Sequence, residues 1–383
     1  MLDFLLNILI VIVILGVLVF VHELGHLLAA KLIKAKVFEF AIGFGPKLFS
    51  FYIGETEYSV RLLPLGGYVN ILGESHEEEL ENLEPERSLR NKSGLQKIFV
   101  MIAGVTMNFI LSIIIYFFLI LSSDFKVPIS YELKDFHPLG GSIIKEIRGD
   151  LEYDKLQEDY PAKKAGIPEK GIIRSFNGNV LDSLELRKSI AENKGKEIVL
   201  NVCSDTGDNC KDYNITVNED GKIGMMIIDN VILYIDYSEN KLLSGFNHSI
   251  NYIRIVGIKL SEMFGNAKQT GDYSEVVGGV SGPIGLYLIV DQLKEYGALV
   301  LVEITASLSL TLVIMNILPI PALDGGRILL VVIEMIIRKP LNKKIEALII
   351  NISFILLMIL MFSVIIKDIV FFNDIKELIN GIK

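Results

Sequence analysis

Four predominantly apolar blocks punctuate the chain: Phe4 to about Leu28, Ile98 to Leu121, Ala298 to about Ile320, and Ala347 to Ile366. Each comes close to the roughly 20 residues that a helix needs to cross the hydrocarbon core of a bilayer, so four transmembrane helices are predicted. A long polar stretch, about Ser122 to Tyr296, separates the second block from the third and has the length to fold by itself. Between the first two blocks, Phe38 to Val69 is rich in glycine, aromatic and β-branched residues, and polar and apolar positions partly alternate through Glu55-Thr56-Glu57-Tyr58-Ser59-Val60. That pattern predicts short strands. The chain thus divides into 1–37 (first span), 38–97 (β-region and loop), 98–121 (second span), 122–296 (polar region) and 297–383 (third and fourth spans with a tail).

Composition strengthens the membrane assignment. A hydrophobic fraction of 51% and a mean hydropathy of +0.47 are too high for a soluble chain of 383 residues. The opening run, Phe4 to Val21 broken only by Asn7, lacks the basic leading region and small-residue cleavage site of a signal peptide and is expected to be retained. Lys31, Lys34 and Lys36 follow the first span, Arg87, Arg90, Lys92 and Lys97 precede the second, and Arg338, Lys339, Lys343 and Lys344 separate the third from the fourth. The positive-inside rule places these loops in the cytoplasm, and both termini and the polar region outside. The formal charge of -9 leaves this unchanged, because the rule counts Lys and Arg near the spans; the Glu77-Glu78-Glu79 run reads as a solvated loop.

Candidate chemistry lies inside this apolar frame. The first run ends in His22-Glu23-Leu24-Gly25-His26. Two histidines four apart on a helix share one face, roughly 5 to 6 Å from each other, so both rings can reach one zinc ion. Glu23 beside them is placed to take a proton from a water that the metal acidifies. If the first span runs inward, both histidines fall in its cytoplasmic half. The third span runs the same way and ends in Leu318-Pro319-Ile320-Pro321-Ala322-Leu323-Asp324-Gly325-Gly326, which sets Asp324 at a similar depth. A catalytic zinc keeps three protein ligands and an open position for water, a set that His22, His26 and Asp324 would supply. Asp324 also fits a helix cap or a turn before two glycines. Asn108, a lone amide in the second block, fits either an interhelical hydrogen bond or a substrate-binding role, while Asn316 and Asn351 fit packing. His76, His137 and His248 lie in polar contexts without a second ligand at metal spacing and read as surface residues.

Together these motifs resemble the site-2 proteases, and among them the bacterial regulator-of-sigma-E type of intramembrane zinc metalloprotease. The matching pieces are His22 to His26, Leu323-Asp324-Gly325, Ala103-Gly104-Val105-Thr106-Met107-Asn108, and Gly278-Gly279-Val280-Ser281-Gly282-Pro283-Ile284-Gly285, which cover nearly the whole chain. Val105-Thr106 departs from the proline-containing pair more common in the family. The resemblance implies a polytopic α-helical membrane protein of the bacterial inner membrane, with four transmembrane helices, a membrane-associated β-region and one extracytoplasmic PDZ-like α+β domain. It implies zinc on His22, His26 and Asp324, Glu23 as general base, and Asn108 helping to hold substrate. It also implies that the β-region lies beside the active site, with a loop dipping into the membrane, and offers an edge to an extended substrate. A helical substrate must unwind to be cut, and strand addition replaces the hydrogen bonds it gives up. The alternative for this region is a hairpin that merely seals the membrane surface.

Tyr160-Pro161-Ala162-Lys163-Lys164-Ala165-Gly166-Ile167, followed by Gly171-Ile172-Ile173-Arg174-Ser175-Phe176-Asn177-Gly178, resembles the core of a PDZ domain with its tight Asn-Gly turn, although Gly171-Ile172 stands where the family usually has Gly-Asp. The stretch from about 141 to 217 has room for one such domain, which would admit only substrates already trimmed outside. Cys203 and Cys210 fall in this region, where an oxidising exterior permits a disulfide closing a hairpin. The expected partners are the lipid bilayer and single-span membrane proteins, such as a trimmed anti-sigma factor or a remnant signal peptide; no nucleic acid is expected. Two rival classes remain. A metal or ion transporter with the same ligands would need neither Glu23 nor a peptide-binding domain, and an inactive scaffold would not need every catalytic residue intact.

Overall fold

A computed structural model describes residues 2–74, 83–279 and 282–371. His76 and the Glu77-Glu78-Glu79 run lie outside the described residues. The chain forms two compact units, Met1–Ser122 with Leu242–Lys383, and Ser123–Lys241.

The first unit begins with helix α1 (Leu2–Leu32), strands β1 (Val37–Ile53) and β2 (Thr56–Ile71), and helix α2 (Gly94–Ser122). The two strands are longer than the sequence pattern suggests, because each bends back on itself. Phe40 pairs with Val69 on one side and with Tyr58 on the other, and Tyr58 pairs again with Phe51. Four antiparallel segments result, in the order 67–71, 37–42, 56–61 and 47–53, with 67–71 at one edge. Gly43 (φ +87) and Gly66 (φ +98) make the bends, in backbone conformations that side chains with a Cβ rarely adopt. Leu27, Ala30, Val37, Phe40, Ile71 and Val100 form the core that joins α1, the sheet and α2.

Helix α2 is patterned inside out. Six of its buried positions, Val100, Gly104, Asn108, Ser112, Tyr116 and Ile120, recur every fourth residue with Val105 beside them, and most of the six are small or polar, while Phe99, Ile102, Ile110, Ile114 and Phe118 are exposed. Small inward residues let membrane helices approach closely, and the apolar outer face suits lipid.

The second unit carries β3 (Lys126–Ile129), β4 (Ser142–Ile147), β5 (Glu152–Leu156), α3 (Pro161–Lys164), β6 (Gly171–Phe176), α4 (Ser183–Glu192), β7 (Glu197–Cys203), β8 (Lys211–Thr216), β9 (Met225–Ile227) and β10 (Val231–Asp236). They form a three-stranded sheet, β3-β10-β4, and a five-stranded sheet, β8-β7-β6-β5-β9, with every neighbour antiparallel. Tyr153, Leu156, Ile173, Leu186, Ile198, Leu200 and Ile215 fill its core. Asn177 (φ 47) and Gly178 (φ 80) make the tight turn after β6. A disulfide joins Cys203 to Cys210 across the β7–β8 hairpin. Only Ser123–Lys241 of the polar stretch belongs to this unit, and the larger sheet extends past 217, because β9 returns to pair with β5, while β10 joins β3 and β4 in the smaller sheet.

Asp182 caps α4. Its carboxylate accepts from the backbone N–H groups of Leu184 and Glu185, Glu185 reaches back to the Asp182 N–H, and Lys145 pairs with the same carboxylate. Burial alone would raise its pKa, but these hydrogen bonds outweigh it and hold the carboxyl below its usual range. Its stabilising contribution is therefore present above about pH 4 and is lost as pH falls through the lower folded-state value. Asp182→Ala should destabilise this unit by about 1 kcal/mol at pH 7. Hydrogen exchange of the β6 and β7 amides in the full chain should speed up by roughly fivefold, a difference that shrinks in acid.

The first unit resumes with α5 (Ser244–Thr270), α6 (Ser274–Gly278), α7 (Pro283–Leu293), α8 (Ala298–Asn316), α9 (Asp324–Ile337) and α10 (Lys343–Val370). Among the described residues, α1, α2, α8 and α10 are long and apolar enough to cross a membrane. Helix α8 ends at Asn316, short of Ile320, because Pro319 disfavours a helical Leu318 and Pro321 repeats the restriction. Helix α5 packs on α2, and there one expectation fails: His248 is only 8% exposed, its ring centroid 4.5 Å from that of Tyr116. The polar neighbours that suggested a surface position, Asn247, Ser249 and Asn251, are themselves buried. His137 is exposed and Asn316 half-buried, but Asn351 is exposed on α10 rather than packed, since Asp368 is that helix's one buried residue among those described. Asn7, which interrupts the first apolar run, donates to Asp291 Oδ1 at 2.6 Å and accepts from Lys294 Nζ at 2.8 Å.

Candidate metal centre

Helix α1 supplies His22, Glu23 and His26, and α9 opens with Asp324 after the turn forced by the two prolines. Two glycines set that turn. A Cβ on Gly325 would lie 2.2 Å from Ile317 O, and one on Gly326 2.1 Å from Ile320 O, so the 317–323 segment folds directly against the start of α9.

Asp324 Oδ2 lies 3.2 Å from His22 Nε2 and 3.5 Å from His26 Nε2, and the two Nε2 atoms are 3.2 Å apart. Ligands about 2.0 to 2.1 Å from a tetrahedral zinc stand about 3.4 Å from one another, so this triangle has the dimensions of three corners of such a site. It is the only group of three or more His, Cys, Asp or Glu that could hold a metal among the described residues. His26 Nδ1 donates to Val100 O at 2.8 Å, which leaves its Nε2 lone pair facing the centre of the triangle.

Helix α2 forms the wall behind the histidines. A Cβ on Gly104 would lie 2.4 Å from His26 Nε2 and 2.8 Å from His22 Cε1, and one on Gly25 would lie 2.4 Å from Ala103 O. On the other side, a Cβ on Gly67 would come within 3.1 Å of Glu23 Cγ, so the edge segment 67–71 runs beside that glutamate.

The structure thus gathers His22, His26 and Asp324, with Glu23 on the same helix and next to a strand edge. Asn108, expected to help hold substrate, sits on α2 behind His22. Its side chain is fully buried, and Nδ2 lies 3.4 Å from His22 Nδ1. Two further features escape a reading of the sequence. Gly104 lies inside the Ala103–Asn108 segment, but its closeness to both rings is a tertiary fact. Asp368, buried at the end of α10, accepts from the backbone N–H groups of Gly282 at 2.9 Å and Gly285 at 3.1 Å. An acid in so apolar a helix is the signal that could have found it.

The family described as peptidase family M50 matches residues 10–360. A Clostridium perfringens protein classed by name with the zinc metalloproteases is 34% identical over 359 residues, covering 92% of this chain and 96% of the relative. Zinc metalloprotease RasP of Bacillus licheniformis is 30% identical over 448 aligned positions, covering 96% of this chain and 98% of the relative. Regulator of sigma-W protease RasP of Bacillus subtilis is 29% identical over 449 positions, covering 96% and 97%.

Proposed function

Because this chain belongs to peptidase family M50, the site-2 protease family of zinc metallopeptidases, we propose that it cuts single-span membrane proteins within or near their transmembrane segments, using His22, His26 and Asp324 as zinc ligands and Glu23 as base. The observation that carries this is the ligand triangle of 3.2 to 3.5 Å sides set between apolar helices beside a glutamate. Zinc bound there supplies a Lewis acid that acidifies water and polarises a peptide carbonyl. Glu23 takes the proton from that water and delivers it to the departing amine. Segment 67–71 offers its free edge to an unwound substrate and aligns it past Glu23. A cavity of about 140 Å³, lined by Glu74, Arg90, Lys97, Arg327 and Glu334 among others, begins one turn beyond Asp324 and supports access of water from the side of the basic loops.

Those basic loops favour a cytoplasmic side for the cavity and an external one for Ser123–Lys241 in a bacterial cell membrane. The short α3 before β6, the Asn-Gly turn and the capped α4 support a PDZ-like domain that admits only substrates trimmed beforehand. One relative is named a regulator of sigma-W protease, which favours a trimmed anti-sigma factor over a remnant signal peptide as substrate.

The test is cleavage of a tagged, truncated single-span protein by purified chain in detergent. Wild type should cut within the span, and Glu23→Gln should lose roughly 10²- to 10⁴-fold in rate while holding its zinc. Asp324→Asn should lose both. A Glu23→Gln variant that cuts like wild type would remove Glu23 from the role of base, and a zinc-loaded wild type that does not cut would bring the transporter or scaffold classes forward.

A further inference from the structure

We infer that Asn108 is a positioning residue of the metal centre: its side-chain oxygen accepts the Nδ1 proton of His22 and so holds the Nε2 lone pair of that ring toward the metal position. This rests on the zinc site proposed above and departs from the substrate-holding role implied by resemblance.

A neutral imidazole carries one proton, so a histidine that ligates through Nε2 must carry it on Nδ1. His26 has its acceptor in Val100 O at 2.8 Å. The neighbour of His22 Nδ1 is the Asn108 amide, with Nδ2 at 3.4 Å. In the metal-binding tautomer these two groups would be donors facing each other. Asn108 Oδ1, meanwhile, is buried and has no hydrogen-bond partner among the described residues. Oxygen and nitrogen of an amide occupy almost the same space, and turning the group over places the orphaned acceptor against the His22 proton. The His22 tautomer and the amide orientation then select each other.

The backbone fixes this amide in place. Ser309 Oγ of α8 donates to Asn108 O at 2.8 Å, which ties α2 to the helix that leads into the Asp324 turn. With its side chain fully buried, Asn108 can act on the reaction only through His22. Partners that orient a ligating histidine typically change metal affinity by about 10- to 100-fold.

Zinc affinity of the full-length protein, measured by competition with a chromophoric chelator, tests the inference, together with the visible spectrum of the cobalt-loaded protein. Asn108→Leu removes the acceptor and should bind zinc about 10- to 100-fold more weakly with an altered cobalt spectrum, while KM at saturating zinc stays within about twofold. Asn108→Asp restores an acceptor and should return zinc affinity to within about threefold of wild type. An Asn108→Leu variant with wild-type zinc affinity and a raised KM would overturn the inference in favour of substrate contact. Equal loss in both variants would overturn it in favour of helix packing. His26→Ala is the control: if zinc binding survives it, the proposed site itself fails, a result distinct from either of these.

Discussion

Gly104→Ala should abolish zinc binding while leaving the helices folded. The added methyl would lie 2.4 Å from His26 Nε2 and 2.8 Å from His22 Cε1, about 1 Å inside ordinary contact. The His26 ring cannot swing away without breaking its bond to Val100 O. Nor does the helix pair have slack, because Gly25 already stands against Ala103 O, where a Cβ would also be 2.4 Å away. The methyl must therefore push α1 from α2 or turn the rings off the triangle, and either displaces a ligand atom by far more than the tolerance of about 0.2 Å at a zinc site. Zinc affinity should fall by more than about 100-fold and proteolysis should become undetectable, with far-ultraviolet circular dichroism unchanged. A variant that retains one equivalent of zinc would show that the two helices can part without consequence.

The second large effect is expected far from the triangle. Asp368→Ala should weaken the membrane unit by roughly 3 kcal/mol, read from its unfolding in mixed detergent. The carboxylate of Asp368 accepts from two backbone N–H groups at the start of α7, where the positive end of the helix dipole adds to the attraction. Removing it leaves the buried Gly285 N–H and the half-buried Gly282 N–H without their acceptor. Through Leu286 and Val290, α7 packs against Ile14 and Leu18 of α1, one to two turns before His22. Loss of the carboxylate should therefore also loosen the helix that carries the zinc motif, and Asp368→Asn, which keeps an acceptor but no charge, should fall between wild type and alanine. Equal stability of all three would remove α10 from any account of how α1 is held.

Much of this architecture is legible in the sequence, because the signals are local. The four apolar blocks coincide with α1, α2, α8 and α10 to within a few residues at most ends, since length and apolarity alone define a span. The two histidines face one way because four residues are about one turn. What escaped has a common cause: it depends on which way a residue turns once helices pack. His248 looks exposed among polar neighbours, yet in a membrane unit polar faces turn inward. The same rule hides Asn108. The doubling of β1 and β2 into four segments depends on glycine bends, and the end of the second unit at Lys241 depends on strands that return from beyond the expected boundary. The proline-ended α8 shows the converse, a boundary that local chemistry does announce.

The triangle draws its corners from opposite ends of the chain: His22 and His26 come from the first helix, and Asp324 lies almost three hundred residues later. A metal held there would be a cross-link as well as a reagent, closing a loop of chain that contains the whole second unit. Linkage makes the relation mutual, because whatever binds only the assembled site stabilises the assembly, and whatever draws α9 away from α1 must expel the ion. With a metal on this triangle, holding the reagent and holding the first helix to α9 would be one equilibrium.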